Sequence, residues 1–300
     1  MSGLGTKVNW GRVGIATFPW FWLGLFFVLP FIFVLKISLA EPQLAQPPYM
    51  DLIREFEDGF MTLVINFGNY RLLLEDSLYI NALLGSIKVA AISTLLAILV
   101  GYPVALGIAR APAHWRLPLL MLIILPFWTS FLIRVYAWIG ILKNNGLLNQ
   151  FLMWTGLIDT PIDILYTPTA VYIGIVYSYL PFIVLPLYAT LVRLDHSLLE
   201  AAADLGCSPI KQFLLITLPL SVPGLIAGSM LVFIPVMGEF VIPDLLGGPN
   251  TLMIGKLMWT EFFANKDWPL ASALAAVLLV VLIIPFVVLR HMEQRSEEVE

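Results

Sequence analysis

The sequence predicts an all-α polytopic membrane protein with six transmembrane helices. Hydrophobic residues fill 60% of the 300 positions and charged residues only 12%, a balance outside the range of soluble domains. Between the charged positions lie six long apolar runs, each able to cross a hydrocarbon core about 30 Å thick at about 1.5 Å per residue. The single cysteine, Cys207, excludes an internal disulfide framework.

The first run is Gly14 to Leu35, with Trp10, Trp20 and Trp22 as an inner interfacial belt. Lys7 and Arg12 ahead of it and Ser38-Leu39-Ala40 behind it imitate a cleaved signal, but the run is too long and too rich in Phe and Trp, so it reads as an uncleaved helix. A long connection, Glu41 to Asn81, follows. Its start, EPQLAQPP, cannot be helical because Pro42, Pro47 and Pro48 forbid it. Its later part, FGNYRLLLEDSLYINALLGS, reads as a short surface helix leading into the second run, Val89 to Ala109. That run ends with Gly101, Pro103 and Gly107 close together, which permits tight packing and a bend.

The third run, Leu117 to Leu142, is interrupted only by Arg134. A charge there is expensive, so it is expected to face the bundle and pair with an acid, Glu239 being the candidate; snorkelling to the outer interface is the alternative. Turn signals at Asn144-Asn145-Gly146 and Thr160-Pro161 mark the next connection, Lys143 to Thr167. The fourth run lies within Ile164 to Val192, where Pro181 and Pro186 are expected to break or kink the helix and free backbone carbonyls. The fifth lies within Gln212 to Gly238, with Pro223, Pro235 and a Gly224-x-x-x-Gly228 packing patch. The sixth is Leu270 to Leu289. A helix pair carrying so many prolines and glycines suits a gated pathway, or passive kinks that only shape the packing.

With the N-terminus inside, the inner segments hold eight bases, among them Lys7, Arg110, Arg116, Arg193 and Lys211, and the outer ones five, Arg54, Arg71, Lys143, Lys256 and Lys266. This asymmetry puts both termini and the Glu200 region on the cytoplasmic side. The outer segments carry thirteen acids, including Glu57, Asp58, Glu239 and Asp244, against those five bases. A negative outer face concentrates cations, although topology leaves acids free to lie on either side.

Glu200 to Pro219, EAAADLGCSPIKQFLLITLP, is polar between two apolar runs and reads as two short helices and a turn. Ser197 with Glu200 has the pattern of a capping box. Gly206 is placed to end the first helix, because glycine enters the left-handed region at little cost. Ser208 caps a second helix with Pro209 at its first position. Ala201, Ala202 and Ala203 leave a flat surface that another protein can approach closely. The order Glu200-Ala201-Ala202, Gly206, then Ile216-x-Leu218-Pro219 resembles the EAA motif of ABC importer permeases, with matching spacing at every fixed position. The resemblance implies the type I ABC importer (MetI-like) permease fold and a coupling helix seated in a groove of a cytoplasmic ATPase. A capped hairpin without a partner is the alternative. The expected organisation is a single permease domain over residues 1–300, with the first helix at 14–35, core helices at 83–291 and the coupling loop at 195–216.

Three segments, Pro126 to Trp138, Asp159 to Val171 and Met237 to Pro249, are similar to those of polyamine permeases, and MGEFVIPDLLGG looks closest to the putrescine branch. That resemblance runs from about Phe67 to Pro269. It implies a cell inner membrane location, a second permease as heterodimer partner, two copies of an ATPase and a periplasmic polyamine-binding protein; the 41–81 connection is then either that protein's landing surface or a solvated cap. It implies no cofactor in this chain, with ATP and Mg held by the ATPase. Gly255-Lys256 looks like the end of a phosphate-binding loop, but Asn250 stands where the first glycine belongs and Leu257 follows the lysine. The chain is not expected to be an enzyme: His114, His196 and His291 have no ligand-like spacing. For the pathway, Glu239 and Asp244 are the expected cation contacts, Trp128, Tyr136 and Tyr177 the ring contacts, and Arg134, paired with Glu239, the candidate gate. Packing or interfacial roles are the alternative for each ring. The alternative cargoes are an amino acid, sulfate or iron, and a channel without an ATPase is the remaining class.

Overall fold

A computed structural model describes residues 10–55, 61–249 and 251–297; Lys7, Glu57, Asp58 and Asn250, used above, lie outside them. In chain order the helices are α1 (Trp10–Leu23), α2 (Leu29–Ser38), α3 (Gly68–Glu75), α4 (Ser77–Arg110), α5 (Ala113–Ile124), α6 (Phe131–Leu142) and α7 (Leu147–Trp154). They continue with α8 (Pro168–Leu191), α9 (His196–Asp204), α10 (Pro209–Gln212), α11 (Leu218–Met237), α12 (Val241–Leu246), α13 (Ile254–Trp259) and α14 (Trp268–Glu297). π-Helical turns at Gly24–Val28, Phe213–Thr217 and Thr260–Ala264 join neighbouring helices, and a 3₁₀ turn, Leu125–Trp128, follows α5. Strands β1 (Ile53–Glu55) and β2 (Met61–Leu63) form an antiparallel hairpin, with Arg54 opposite Thr62.

Two compact units make up the chain, one of the residues up to Ser77 with those from Met258 on, the other Leu78–Leu257. In the first, α2 packs on α14. The buried Asn69 side chain donates to the carbonyls of Ser38 (2.9 Å) and Ala40 (3.0 Å), serving acceptors that the end of α2 leaves without helical partners. The proline-rich 43–48 segment is non-helical and bends back on itself between the bridged Pro42 and Tyr49, and between it and Phe262, Lys266 and Trp268 lies a pocket of about 760 Å³. Phe262 and Trp268 stack at 5.0 Å.

The second unit is built on α8 and α11, which pack along their lengths. Their closeness follows from the small residues. A Cβ at Gly228 would stand 3.2 Å from Ile183 Cα and O, and one at Gly224 would strike Thr190 Oγ1. Ile183, 1% exposed, also fills the notch at Gly101 of α4. At one end, Tyr102, Ala105, Ile108, Val184, Leu187 and Leu191 form a buried cluster. Between helices in lipid the water-referenced hydrophobic gain is absent, and close van der Waals packing of these side chains holds the cluster together.

Among the described residues four helical stretches are long and apolar enough to cross a membrane: Thr17–Ser38, Ser77–Arg110, Pro168–Leu191 and Pro209–Met237. The third apolar run is not one straight span, as expected above. It divides into Ala113–Trp128 and Phe131–Trp154, bent by 93°. Thr129 is extended, Ser130 stands at the N-cap of α6, and Thr129 Oγ1 donates to the Pro126 carbonyl at 2.7 Å. The apolar stretch Trp268–Ile284 is the first part of α14, which continues to Glu297. Of the expected break or kink at Pro181 and Pro186, the break does not occur: α8 runs through both. Each proline leaves the carbonyl four residues earlier, that of Tyr177 or Phe182, without a helical donor; further on, Thr190 Oγ1 donates to the Pro186 carbonyl at 3.1 Å.

Candidate functional site

The Glu200 segment has the helix–turn–helix form that its sequence predicts, with one correction. The first helix starts earlier, and its cap is Asp195, whose carboxylate accepts from the Ser197 N–H at 2.9 Å. Ser197 is therefore inside the helix, and no Ser197–Glu200 capping box forms. The bond from the Ser197 backbone holds the Asp195 carboxyl below its ordinary value. At the other end, Gly206 has φ +77°. The Cys207 N–H donates to Ala202 O at 2.9 Å and the Gly206 N–H to Ala203 O at 2.8 Å, the paired bonds of a Schellman stop. Ser208 stands at the next N-cap, without a side-chain bond, and Pro209 follows as predicted.

The motif residues divide by environment. Glu200, Ala201 and Gly206 are exposed and Ala202 is half-buried. Leu198, Leu205 and Ile210 are apolar and exposed on the same short segment. Ile216 and Leu218 are half-buried, and Leu218 packs against the Tyr102 cluster, while Pro219 is exposed. Phe213 meets Tyr102 edge-on at 5.4 Å, and the Tyr102 hydroxyl bonds Ser221 Oγ at 2.7 Å. An exposed knuckle is thus rooted, through Phe213 and Leu218, in the core shared by α4, α8 and α11.

The expected Arg134–Glu239 ion pair does not form. Both groups are buried, at 9% and 8% exposure. Glu239 is occupied by other partners: Oε2 accepts from the Tyr179 hydroxyl at 2.5 Å, and Oε1 from the N–H groups of Val241 (3.0 Å) and Ile242 (3.4 Å). It caps α12. The Arg134 guanidinium lies over the Phe127 ring at 4.8 Å and near Phe131 at 5.6 Å, on the two sides of the bend. Phe127 meets Phe182 at 5.3 Å, and Phe182 meets Tyr179 at 5.9 Å. A row of three rings therefore links the acid and the base that the sequence suggested would touch.

Asp244 is also not bare: its Oδ1 is 3.0 Å from Lys256 Nζ. Trp128 and Tyr136 are exposed. Tyr177 packs edge-on against Trp138 at 5.3 Å, so the three ring candidates are not gathered into one cage. Sequence reasoning missed Tyr179, Phe127, Phe182 and Lys256 as partners. Only Lys256 carried a usable signal, being one of two bases, with Lys266, on the acid-rich Glu239–Pro269 segment. Among the described residues no group of three or more His, Cys, Asp or Glu side chains is placed to hold a metal.

Residues 14–298 match the family described as binding-protein-dependent transport system inner membrane component. The chain is 43% identical over 261 residues to the spermidine/putrescine transport system permease protein PotB of Escherichia coli (strain K12), covering 87% of this chain and 90% of that protein. It is 38% identical over 284 residues to PotB of Haemophilus influenzae, covering 93% and 94%. Two solved structures share the fold at low identity. One is a bacterial alginate ABC transporter in complex with an alginate pentasaccharide-bound periplasmic protein (TM-score 0.71, 17% identity, 96% and 95% covered). The other is the MetNI methionine ABC transporter in inward-facing form (TM-score 0.54, 15% identity, 77% and 99% covered). The fold is that of the MetI-like ABC permeases, and the chain belongs to the binding-protein-dependent transport system inner membrane component family.

Proposed function

We propose that this chain is the membrane-spanning permease subunit of an ATP-driven polyamine importer, with putrescine among its cargoes. The observation that carries the reading is the 43% identity to a spermidine/putrescine permease across 87% of the chain. The acid-rich outer segments support a cationic cargo. The assembly has a second permease, a pair of ATPase subunits that bind ATP and Mg, and an external polyamine-binding protein. Both termini and the Glu200 segment face the cytoplasm.

In this reading the ATPase grips the knuckle of α9 and α10 through Glu200, Ala201 and Ala202. Gly206 sets the turn, and Ile216, Leu218 and Pro219 begin the lever into α11. ATPase closure moves the knuckle, Phe213 and Leu218 carry the motion to the Tyr102–Ser221 contact, and α4, α8 and α11 rock to open the pathway outward. The polyamine meets Asp244 and exposed aromatic faces such as Trp128, Tyr136 and Tyr177, each worth about 0.5–2 kcal/mol to an ammonium group. Glu239 and Arg134 act as a conformational element through the Tyr179–Phe182–Phe127 row.

The test is ATP-dependent uptake into vesicles holding the reconstituted complex, with labelled putrescine and spermidine and, in parallel, an amino acid, sulfate and iron. Uptake of either polyamine that stops without ATP is expected. Uptake of another solute alone, or uptake indifferent to ATP, overturns the reading.

A further inference from the structure

We propose that Asp244 is a binding site for a primary alkylammonium group, and that in this structure Lys256 fills it from within the chain. The proposal rests on the polyamine reading above and deepens it. The lysine head is an ammonium with three N–H donors on a four-carbon stem. The end of a linear diamine presents the same charge and the same donors to the same acceptor. Lys256 Nζ is seated 3.0 Å from Asp244 Oδ1, which places a tethered analogue of the cargo's end group on the carboxylate.

Three features make this more than a surface strut. First, the carboxylate is accessible: its side chain is 55% exposed and that of Lys256 is 34% exposed. The other acid on this stretch, Glu239, has both oxygens engaged by Tyr179 and the start of α12. Second, the backbone under both partners is fixed. Glu239 caps α12, which carries Asp244. On α13, the Ile254 N–H donates to the buried Ser86 Oγ at 2.8 Å, and a Cβ at Gly255 would lie 2.8 Å from the Glu239 carbonyl oxygen. Third, an ion pair this exposed is worth at most a factor of about five in its equilibrium constant. Exchanging one ammonium for another is therefore close to balanced, and Asp244 is never left bare during the exchange. Lys256 acts as an internal competitor that weakens capture and refills the site when the cargo moves on. A neutral or anionic solute displaces nothing, so the pair also selects by charge.

The experiment measures uptake of labelled putrescine and spermidine by the complete reconstituted complex, carrying the wild-type chain, Lys256→Met, Lys256→Arg, Asp244→Asn, or the exchange Asp244→Lys with Lys256→Asp. Lys256→Met is expected to lower KM by up to about fivefold without raising kcat. Asp244→Asn is expected to raise KM, and so is Lys256→Arg, whose planar guanidinium holds the carboxylate more firmly. Should Lys256→Met fail to assemble, Lys256→Arg still decides, because an unchanged or lower KM in it overturns the proposal. A wild-type KM in the exchanged pair overturns it as well, since a strut survives the exchange and a cation site does not. Wild-type uptake with unchanged KM in Lys256→Met removes this proposal alone. No polyamine uptake by the wild type removes the cargo reading and this proposal together.

Discussion

The guanidinium of Arg134 rests on Phe127, and two of its nitrogens, Nε and Nη1, are buried without a hydrogen-bond partner. A desolvated cation–π contact returns about 2 kcal/mol, while an unsatisfied buried charged group costs more than the 1–3 kcal/mol of a neutral one. The balance is unfavourable, so Arg134→Met is expected to raise the thermal unfolding temperature of the purified complex while reducing uptake. Equal or lower thermal stability would mean that the arginine stabilises this conformation after all. Tyr179→Phe leaves Glu239 Oε2 without its donor and is expected to cost about 1–3 kcal/mol, read as a lowered unfolding temperature. Gly206→Ala has open space for its Cβ, so its cost is backbone strain alone, about 1–2 kcal/mol. It is expected to loosen the knuckle and reduce the ATPase retained on purification. Asp195 gives this segment a pH dependence. Its folded-state value is lowered, so its stabilisation is complete above the ordinary carboxylate range and is lost as pH falls through the lowered value. The protection of the Ser197 amide, its exchange relative to the intrinsic rate at the same pH, is expected to fall over that acid window in the wild type and not in Asp195→Asn, which keeps an acceptor and has no titration.

At the scale of elements, the α8–α11 pair and the bend before α6 have different causes. The pair is held by glycine notches against Pro186, Thr190 and Ile183. Gly228→Leu forces side-chain atoms into Ile183 backbone and is expected to destabilise by about 1–3 kcal/mol or more, whereas Gly107→Leu, where a Cβ meets nothing within 4 Å, is expected to be tolerated. Thermal unfolding of the two variants side by side checks the contrast. The bend comes from a Pro126 turn followed by a Thr129–Ser130 extended step. The sequence holds that signal in Pro126-Phe-Trp-Thr129-Ser130, a proline followed by capping residues. Hydropathy averaged over a window hides it, because the residues around it are apolar except Arg134. The prolines of α8 mislead in the opposite sense: each removes one backbone bond, and tight packing against α11 holds the helix together across the gap.

For the whole molecule, the rooted knuckle ties an exposed surface to the spans, and under the proposed orientation that surface is cytoplasmic, so orientation and coupling are testable together. Cys207 is the single cysteine and lies half-buried just past the Gly206 turn. A membrane-impermeant maleimide is expected to label it in inside-out vesicles and not in right-side-out ones, and bound ATPase is expected to slow the labelling. Labelling from the outer side alone would reverse the assigned topology.

Most of the apolar runs and the Glu200–Pro219 helix–turn–helix, with its Gly206 stop, were legible in the order of residues, because hydrophobicity and the left-handed preference of glycine act within a few positions of chain; the Asp195 cap was not. The type of each charged group was legible too, but its partner was not. Arg134 settled on Phe127, Glu239 on Tyr179 and the start of α12, and Asp244 on Lys256. Those choices, and the 93° bend, belong to the tertiary structure: a buried charge takes whichever acceptor, donor or ring packing brings within reach, and residues far apart in the chain decide which that is.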